Sequence, residues 1–231
     1  MVSFTTDWFS HNIETWQRVF TSVGWLGTEK DLRALEVGTW EGRSACWLLQ
    51  HVCRSPGSKL VCIDNWAGAQ QYGAAGKIYG LDSSIQSGHA VEERFDSNVQ
   101  VLQAEGRVDK MKMESMKALA TLIIAEGDPF HVVYIDCSHN PKDLIADAVM
   151  SWPLVRAGGL LIFDDYAWED VVTLEEGQSP KHAIDAFLML FSQELIVLVQ
   201  SYQLVVQKMG PTHRAPHPGI AVASSDAGLG T

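Results

Sequence analysis

Two apolar runs in the chain each end in acid: FHVVYID stops at Asp136, and GLLIFDD stops at Asp164 and Asp165. Two buried strands, separated by one helix's worth of sequence, could place these three carboxylates side by side. Crowded carboxylates repel one another and raise their own pKa values unless a cation is present. Their oxygens are hard ligands, which suit Mg2+, Mn2+ or Ca2+ rather than zinc. The competing reading is that Asp164 or Asp165 caps the next turn while Asp136 accepts hydrogen bonds from nearby N–H groups.

A second group of residues lies earlier in the chain. The apolar run RALEV leads into Glu36-x-Gly38-x-x-x-Gly42, and a helical stretch follows with Ser44 near its start. Glycines here let the backbone turn tightly and approach a ligand, and a helix N-terminus offers unpaired N–H groups. The next apolar run, LVCID, ends at Asp64, close to where an acid caps a ribose hydroxyl in nucleotide-binding folds. GTWEG departs from a dinucleotide fingerprint, with Trp40 in place of the second glycine. Glu36 would also set a carboxylate where a pyrophosphate lies. A cationic ligand without phosphate suits these residues, and S-adenosylmethionine, with its sulfonium, ammonium and ribose, is such a ligand.

These residues need elements to carry them. Strands are expected over 33–37, 60–64, 99–103, 130–136 and 158–165, with two further β runs within 194–208. Helices are expected over 44–54, 89–98, 109–126, 141–152 and 182–193. Pro141 sits at the first turn of one of them. An N-terminal helical segment places Ile13, Trp16, Val19, Phe20 and Val23 on one face, to pack on the domain's edge or cover a site. Alternation of strands and helices implies a parallel sheet with helices on both faces, and the closing pair of β runs breaks that rhythm. The glycine-rich stretch after Trp66 has no sustained period, so 66–96 reads as a lid-like insertion. Its Trp66, Tyr72 and Tyr79 could cover an acceptor. The tail 209–231 reads as poorly ordered.

With 231 residues and 46% hydrophobic composition, the chain can bury the core of one domain, 1–208. A formal net charge of −11 without a Lys/Arg cluster argues against nucleic acid or anionic membrane as the main partner. It does not oppose a small-molecule partner or self-association into a homo-oligomer. No apolar window is long enough to span a membrane. The N-terminus lacks a basic region followed by an apolar core, so no secretory signal is expected. Four cysteines without a CxxC pair read as core thiols of a cytoplasmic protein.

Taken together, LEVGTWEGRSACWLL resembles motif I of the class I S-adenosylmethionine-dependent methyltransferases, and CIDNWAG resembles their second-strand motif. YIDCSHNPKDLIADAVMSWPLVRAGGLLIFDDY is similar to the pattern of bacterial small-molecule O-methyltransferases of the macrocin and macrolide-sugar type. The resemblance runs from about Asp7 to Lys208. It implies an α/β, Rossmann-like, doubly wound sheet of seven strands, order 3-2-1-4-5-7-6 with strand 7 antiparallel. It implies that Glu36, Gly38 and Gly42 hold the methionine end of the cofactor, Asp64 the ribose, and that Gly106 lies near adenine. Thr39, Ser44, Trp66 and Asp136 complete the expected cofactor contacts. Asp136, Asp164 and Asp165 become neighbours that hold a divalent ion against the acceptor hydroxyl. His139 matches the position of a general base in sugar-modifying relatives, with Lys142 in reserve, although a His before an Asn-Pro helix start also serves as a cap or surface residue. Cys137 and QAEGRVDKM depart from the pattern, which has Gly and Gly-x-Ser there. The implied activity is methyl transfer to a small-molecule hydroxyl, and the alternative is a catalytically silent cofactor-binding or scaffold protein.

Overall fold

The computed structural model describes residues 1–67, 88–168 and 179–210. Seven strands form one sheet: β1 (Arg33–Val37), β2 (Lys59–Asp64), β3 (Val108–Lys112), β4 (Phe130–Ile135), β5 (Val155–Phe163), β6 (Leu195–Gln200) and β7 (Leu204–Lys208). Their order is β3-β2-β1-β4-β5-β7-β6. The pairs from β3 through β5 are parallel, and β7 runs antiparallel to both β5 and β6. The expected strand order and the reversed seventh strand are both present.

The strand sequences explain the two-layered core. Side chains alternate across a sheet, so a strand covered on both faces reads as a nearly continuous apolar run. Ala34, Leu60, Cys62, Val132, Tyr134, Leu160, Ile162 and Val205 face one layer, which holds α1 (Ile13–Ser22), α2 (Arg43–His51) and α3 (Gly88–Val101). Leu35, Val37, Val61, Ile63, Val133, Ile135, Leu161, Phe163 and Leu204 face the other, which holds α4 (Ser115–Ile124), α5 (Pro141–Ser151) and α6 (Pro180–Phe191). Two helices start on a built cap with Pro at the first position: the Asn140 side chain accepts from the Lys142 N–H, and the Ser179 side chain from the Lys181 N–H.

The N-terminal helix does more than edge the domain. Trp16 and Phe20 are fully buried, and Trp16 meets Tyr134 of β4 edge-on at 5.0 Å between ring centroids. The expected helical face is therefore part of the first core layer.

Two expectations are corrected. VQVLQ is not a strand, because α3 continues to Val101 and Val91, Phe95 and Val99 recur at helical spacing on its buried side. A short apolar run cannot by itself distinguish strand from helix, and here the helical period won. The third strand is instead the charged run VDKMK, which overlaps the start of the helix expected over 109–126. Its charges are tolerated because β3 is an edge strand: Lys110 pairs with Glu92 and Asp96 of α3, and Lys112 with Glu92. Of the expected lid, residues 88–96 belong to α3, while Tyr72 and Tyr79 lie outside the described residues, as does the tail beyond 210.

Gly38 sits at a very tight point of the fold. It has φ +87°, and a Cβ there would lie 1.9 Å from the Asp136 carbonyl oxygen, against backbone that cannot move aside. Gly106 has open space around it. We therefore expect Gly38→Ala to destabilise the fold by roughly 3 kcal/mol or more, and Gly106→Ala to change stability by less than about 1 kcal/mol. Urea unfolding of both variants checks the contrast, and near-equal midpoints would contradict it.

Candidate functional site

The carboxyl ends of the parallel strands bring two sets of residues together. The first is the turn after β1. Gly38, Trp40 and Gly42 all have positive φ, and Gly42 caps the N-terminus of α2. Asp64, at the end of β2, holds this turn: its Oδ2 accepts from the Thr39 N–H at 3.0 Å and the Trp40 N–H at 2.8 Å. Its Oδ1 accepts from the Trp66 N–H at 2.7 Å. Burial pushes the Asp64 carboxyl above its ordinary value despite these donors.

Glu36 lies one residue short of the end of β1, between Cys62 and Tyr134 on the neighbouring strands, and is fully buried. Ser44 Oγ on the first turn of α2 donates to its carboxyl group. Burial pushes the Glu36 pKa up to about 8, with the hydrogen bond from Ser44 opposing the rise. At neutral pH this carboxyl carries a proton. Burial and the nearby Asp64 charge both favour its neutral form, and a cation coming to it would favour the charged one.

The second set is the acid cluster. Asp136 ends β4, Asp164 and Asp165 end β5, and each offers an oxygen within 4.8 Å of the others'. Tyr134 Oη lies between two of them, 3.0 Å from Asp136 Oδ2 and 2.8 Å from Asp164 Oδ2. A phenol has one proton to donate, so the second of these carboxyls can bond to it only as an acid donating its own proton. Burial, then the charge of Asp165, pushes Asp164 up to about 7. Burial, then Asp164, pushes Asp136 well above the carboxylate range. Asp164 Oδ1 accepts from Gln203 Nε2 at 2.8 Å, and Asp165 Oδ1 from the Tyr202 hydroxyl at 2.6 Å. Asp165 itself has φ +56°. The competing reading of these acids as turn caps accounts for none of this convergence.

His139 joins the cluster, with Nε2 2.6 Å from Asp165 Oδ2 and its ring 4.4 Å from that of Trp168. A cleft at this point is lined by Asp136, Ser138, His139, Asp164, Asp165 and Pro180. Lys142 is exposed on the first turn of α5 and does not line it. Cys137 stands in place of the family's glycine without strain, since its φ is not positive, and its thiol lies 2.9 Å from Asp147 Oδ2.

Two expected cofactor contacts are corrected. Gly106 lies at the amino end of the sheet, where its carbonyl accepts from Lys59 Nζ at the start of β2, so it cannot face a ligand at the carboxyl ends. That error follows from the misplaced third strand; the true end of β3 brings Met113, whose N–H donates to the Asp64 carbonyl, and Glu114, which accepts from Asn65 Nδ2. The Trp66 ring is turned into the core against Phe95, at 5.2 Å, and its Nε1 donates to the Trp40 carbonyl. It braces the glycine turn instead of lining the site. Sequence reasoning also missed Tyr134, Tyr202 and Gln203. Tyr134 was visible as the residue two before Asp136, and so on the same side of its strand, whereas Tyr202 and Gln203 reach the acids only through the reversal of β7.

A family model described as a methyltransferase domain matches residues 35–166, from β1 to the residue after Asp165. No curated protein matches the chain in sequence. Among solved structures, an O-methyltransferase from Bacillus cereus in complex with SAH is 17% identical with a TM-score of 0.59, covering 90% of this chain and 84% of that one. The O-methyltransferase TomG from Streptomyces achromogenes, involved in tomaymycin synthesis and solved with SAM, is 19% identical with a TM-score of 0.55, covering 79% and 75%. The MycE methyltransferase of the mycinamycin pathway, in complex with Mg, SAH and mycinamycin VI, is 17% identical with a TM-score of 0.57, covering 94% of this chain and 53% of that one. With more than half of the chain inside the family model and the sheet order to match, this chain belongs to the methyltransferase-domain family and has the fold of the class I S-adenosylmethionine-dependent methyltransferases.

Proposed function

We propose that the chain is an S-adenosylmethionine-dependent O-methyltransferase that methylates a hydroxyl of a small molecule, with a divalent cation held by Asp136, Asp164 and Asp165. The convergence of these three carboxylates beside the glycine turn carries the reading. Small-molecule methyltransferases with SAM, SAH or Mg in their sites, among the structures that share the fold, support it. A catalytically silent cofactor binder would have no use for the acid cluster. No helix among the described residues is long and apolar enough to cross a membrane.

S-adenosylmethionine supplies the methyl group from its sulfonium. Glu36, Gly38, Thr39, Gly42 and Ser44 would receive its methionine end, with Asp64 on the ribose and Asp136 close by. The donor set fits a hard cation: three carboxylates, no thiolate, and an Asp164 that otherwise keeps a proton near neutral pH. Such a cation, most simply Mg2+, with Mn2+ or Ca2+ as alternatives, would hold the acceptor oxygen and make its hydroxyl more acidic. His139 would take the proton as the oxygen–methyl bond forms and the sulfur–methyl bond breaks, with Asp165 orienting its imidazole. Lys142, exposed and outside the cleft, is the weaker candidate for that role.

Cofactor binding should release protons. At pH 7 a carboxyl with a pKa of about 8 is about 0.9 protonated. A cationic ligand favours its ionised form, so the calorimetric enthalpy for S-adenosylmethionine should depend on the ionisation enthalpy of the buffer. Glu36→Gln should abolish that dependence and weaken binding. Because the folded-state value is raised from 4.5 to about 8, Glu36 also lowers stability progressively as pH rises through that window. An enthalpy independent of buffer at pH 7 would count against the role of Glu36.

Turnover should stop in chelator and return with Mg2+ or Mn2+. Asp136→Asn should be the most damaging of the three acid substitutions, as Asp136 stands nearest both halves of the site. Full activity in chelator would leave the acids without a metal role.

His139→Ala should lower kcat by ~10²–10⁴ while leaving the affinity for S-adenosylhomocysteine nearly unchanged. Lys142→Ala should change kcat far less. Steady-state kinetics on both variants decide the matter, and an active His139→Ala enzyme would remove His139 as the base.

A further inference from the structure

The acids are held from behind by a part of the chain that the sequence motifs do not include. Because β7 is antiparallel to β5, its first residue, Leu204, pairs with Phe163, the last residue of β5. The turn between β6 and β7 therefore arrives beside Asp164 and Asp165. Gln203 Nε2 donates to Asp164 Oδ1 at 2.8 Å, and Tyr202 Oη donates to Asp165 Oδ1 at 2.6 Å. Gln203 is 1% exposed, and its Oε1 accepts from Trp16 Nε1 at 2.7 Å. That bond fixes which end of the amide faces the acid, since an indole N–H can only donate. Trp16 in turn is packed edge-on against Tyr134, whose hydroxyl lies between Asp136 and Asp164.

We propose that Tyr202 and Gln203 are positioning residues for the metal-binding acids, and that Trp16 of the N-terminal helix positions Gln203. The inference rests on the metal reading of Asp136, Asp164 and Asp165. Gln203 and Tyr202 each occupy one oxygen of their acid, which leaves the other, Oδ2, directed toward the rest of the cluster. Without them, Asp164 would be held only through Tyr134 and Asp165 only through His139, each at the oxygen a cation would use, and the cation would have to order the carboxyl groups on binding. Outer-shell partners of this kind commonly affect metal affinity by ~10–100-fold.

The test is Mn2+ affinity, read from the paramagnetic resonance of free Mn2+ during titration, with S-adenosylhomocysteine affinity measured on the same samples. Gln203→Met keeps the length and packing of the side chain and removes both hydrogen bonds. It should weaken Mn2+ binding ~10–100-fold and leave S-adenosylhomocysteine binding unchanged. Tyr202→Phe should weaken Mn2+ binding in the same direction. Trp16→Phe should weaken it less, and should add nothing in the Gln203→Met background, because the two act through one chain of bonds. Mn2+ affinity within twofold of wild type in Gln203→Met, or tighter, overturns the proposal, as does full additivity of the Trp16 and Gln203 effects. If Gln203→Met also loses S-adenosylhomocysteine, it has lost its structure, and the Tyr202→Phe and Trp16→Phe results decide by the same criterion. A wild-type protein that takes up no Mn2+ overturns the metal reading and this inference together, whereas equal binding by wild type and variants overturns the inference alone.

Discussion

The constraint on which the site depends is the mutual repulsion of carboxyl groups gathered at the ends of β4 and β5. Asp136, Asp164 and Asp165 share a space less than 5 Å across, and one phenol hydroxyl serves two of them. Such an arrangement is stable only if something positive enters it, a proton or a cation. Burial and neighbouring charge raise both Asp136 and Asp164, so without a cation the cluster tends to hold protons. Among the described residues, the rest of the support comes from the neutral donors Tyr134, Tyr202 and Gln203 and from the His139 imidazole on Asp165, and not from lysine or arginine. A resident lysine or arginine would neutralise the acids permanently, whereas neutral donors would leave them available to an exchangeable ion.

Strand register turns this local problem into one site with the glycine turn. The Asp136 N–H donates to the Val37 carbonyl, and the Gly38 N–H donates to the Ile63 carbonyl, so the ends of β2, β1 and β4 are tied in a row. Gly38 passes so close to the Asp136 carbonyl that no side chain fits between them. The turn that would receive a cofactor and the acid that begins the carboxyl cluster are therefore adjacent parts of one backbone arrangement. Methyl transfer needs donor and acceptor within ~3–3.5 Å, and this contact sets the cofactor turn directly beside the acids.

Much of this was legible in the residues, and the failures have physical causes. Buried strands that end in acid stand out because a carboxylate terminates an apolar run, so Asp64, Asp136, Asp164 and Asp165 could be placed from sequence, and Glu36 by its place just before the glycine turn. The third strand could not be: VDKMK is charged because it is an edge, and its lysines find partners only once α3 lies beside it. That single error carried Gly106 to the wrong end of the sheet. Trp66 was misread for a different reason. An aromatic residue after a strand-end acid can face a ligand or the core, and the choice depends on Phe95 and Trp40, which the local sequence does not bring near.

The same limit explains why the motif hides half of its own support. Every residue that supplies chemistry in the proposed reaction lies between Glu36 and Asp165, inside the span that matches the family model. The residues that orient those acids come from both ends of the described chain, Trp16 near the start and Tyr202 and Gln203 near the end. They meet because β7 is antiparallel and so begins where β5 finishes, and because α1 packs over the first core layer against Tyr134. A parallel seventh strand would have placed its first residue at the opposite edge of the sheet, far from Asp164. The reversal that looks in sequence like a broken rhythm is therefore what lets a hairpin turn reach the acids.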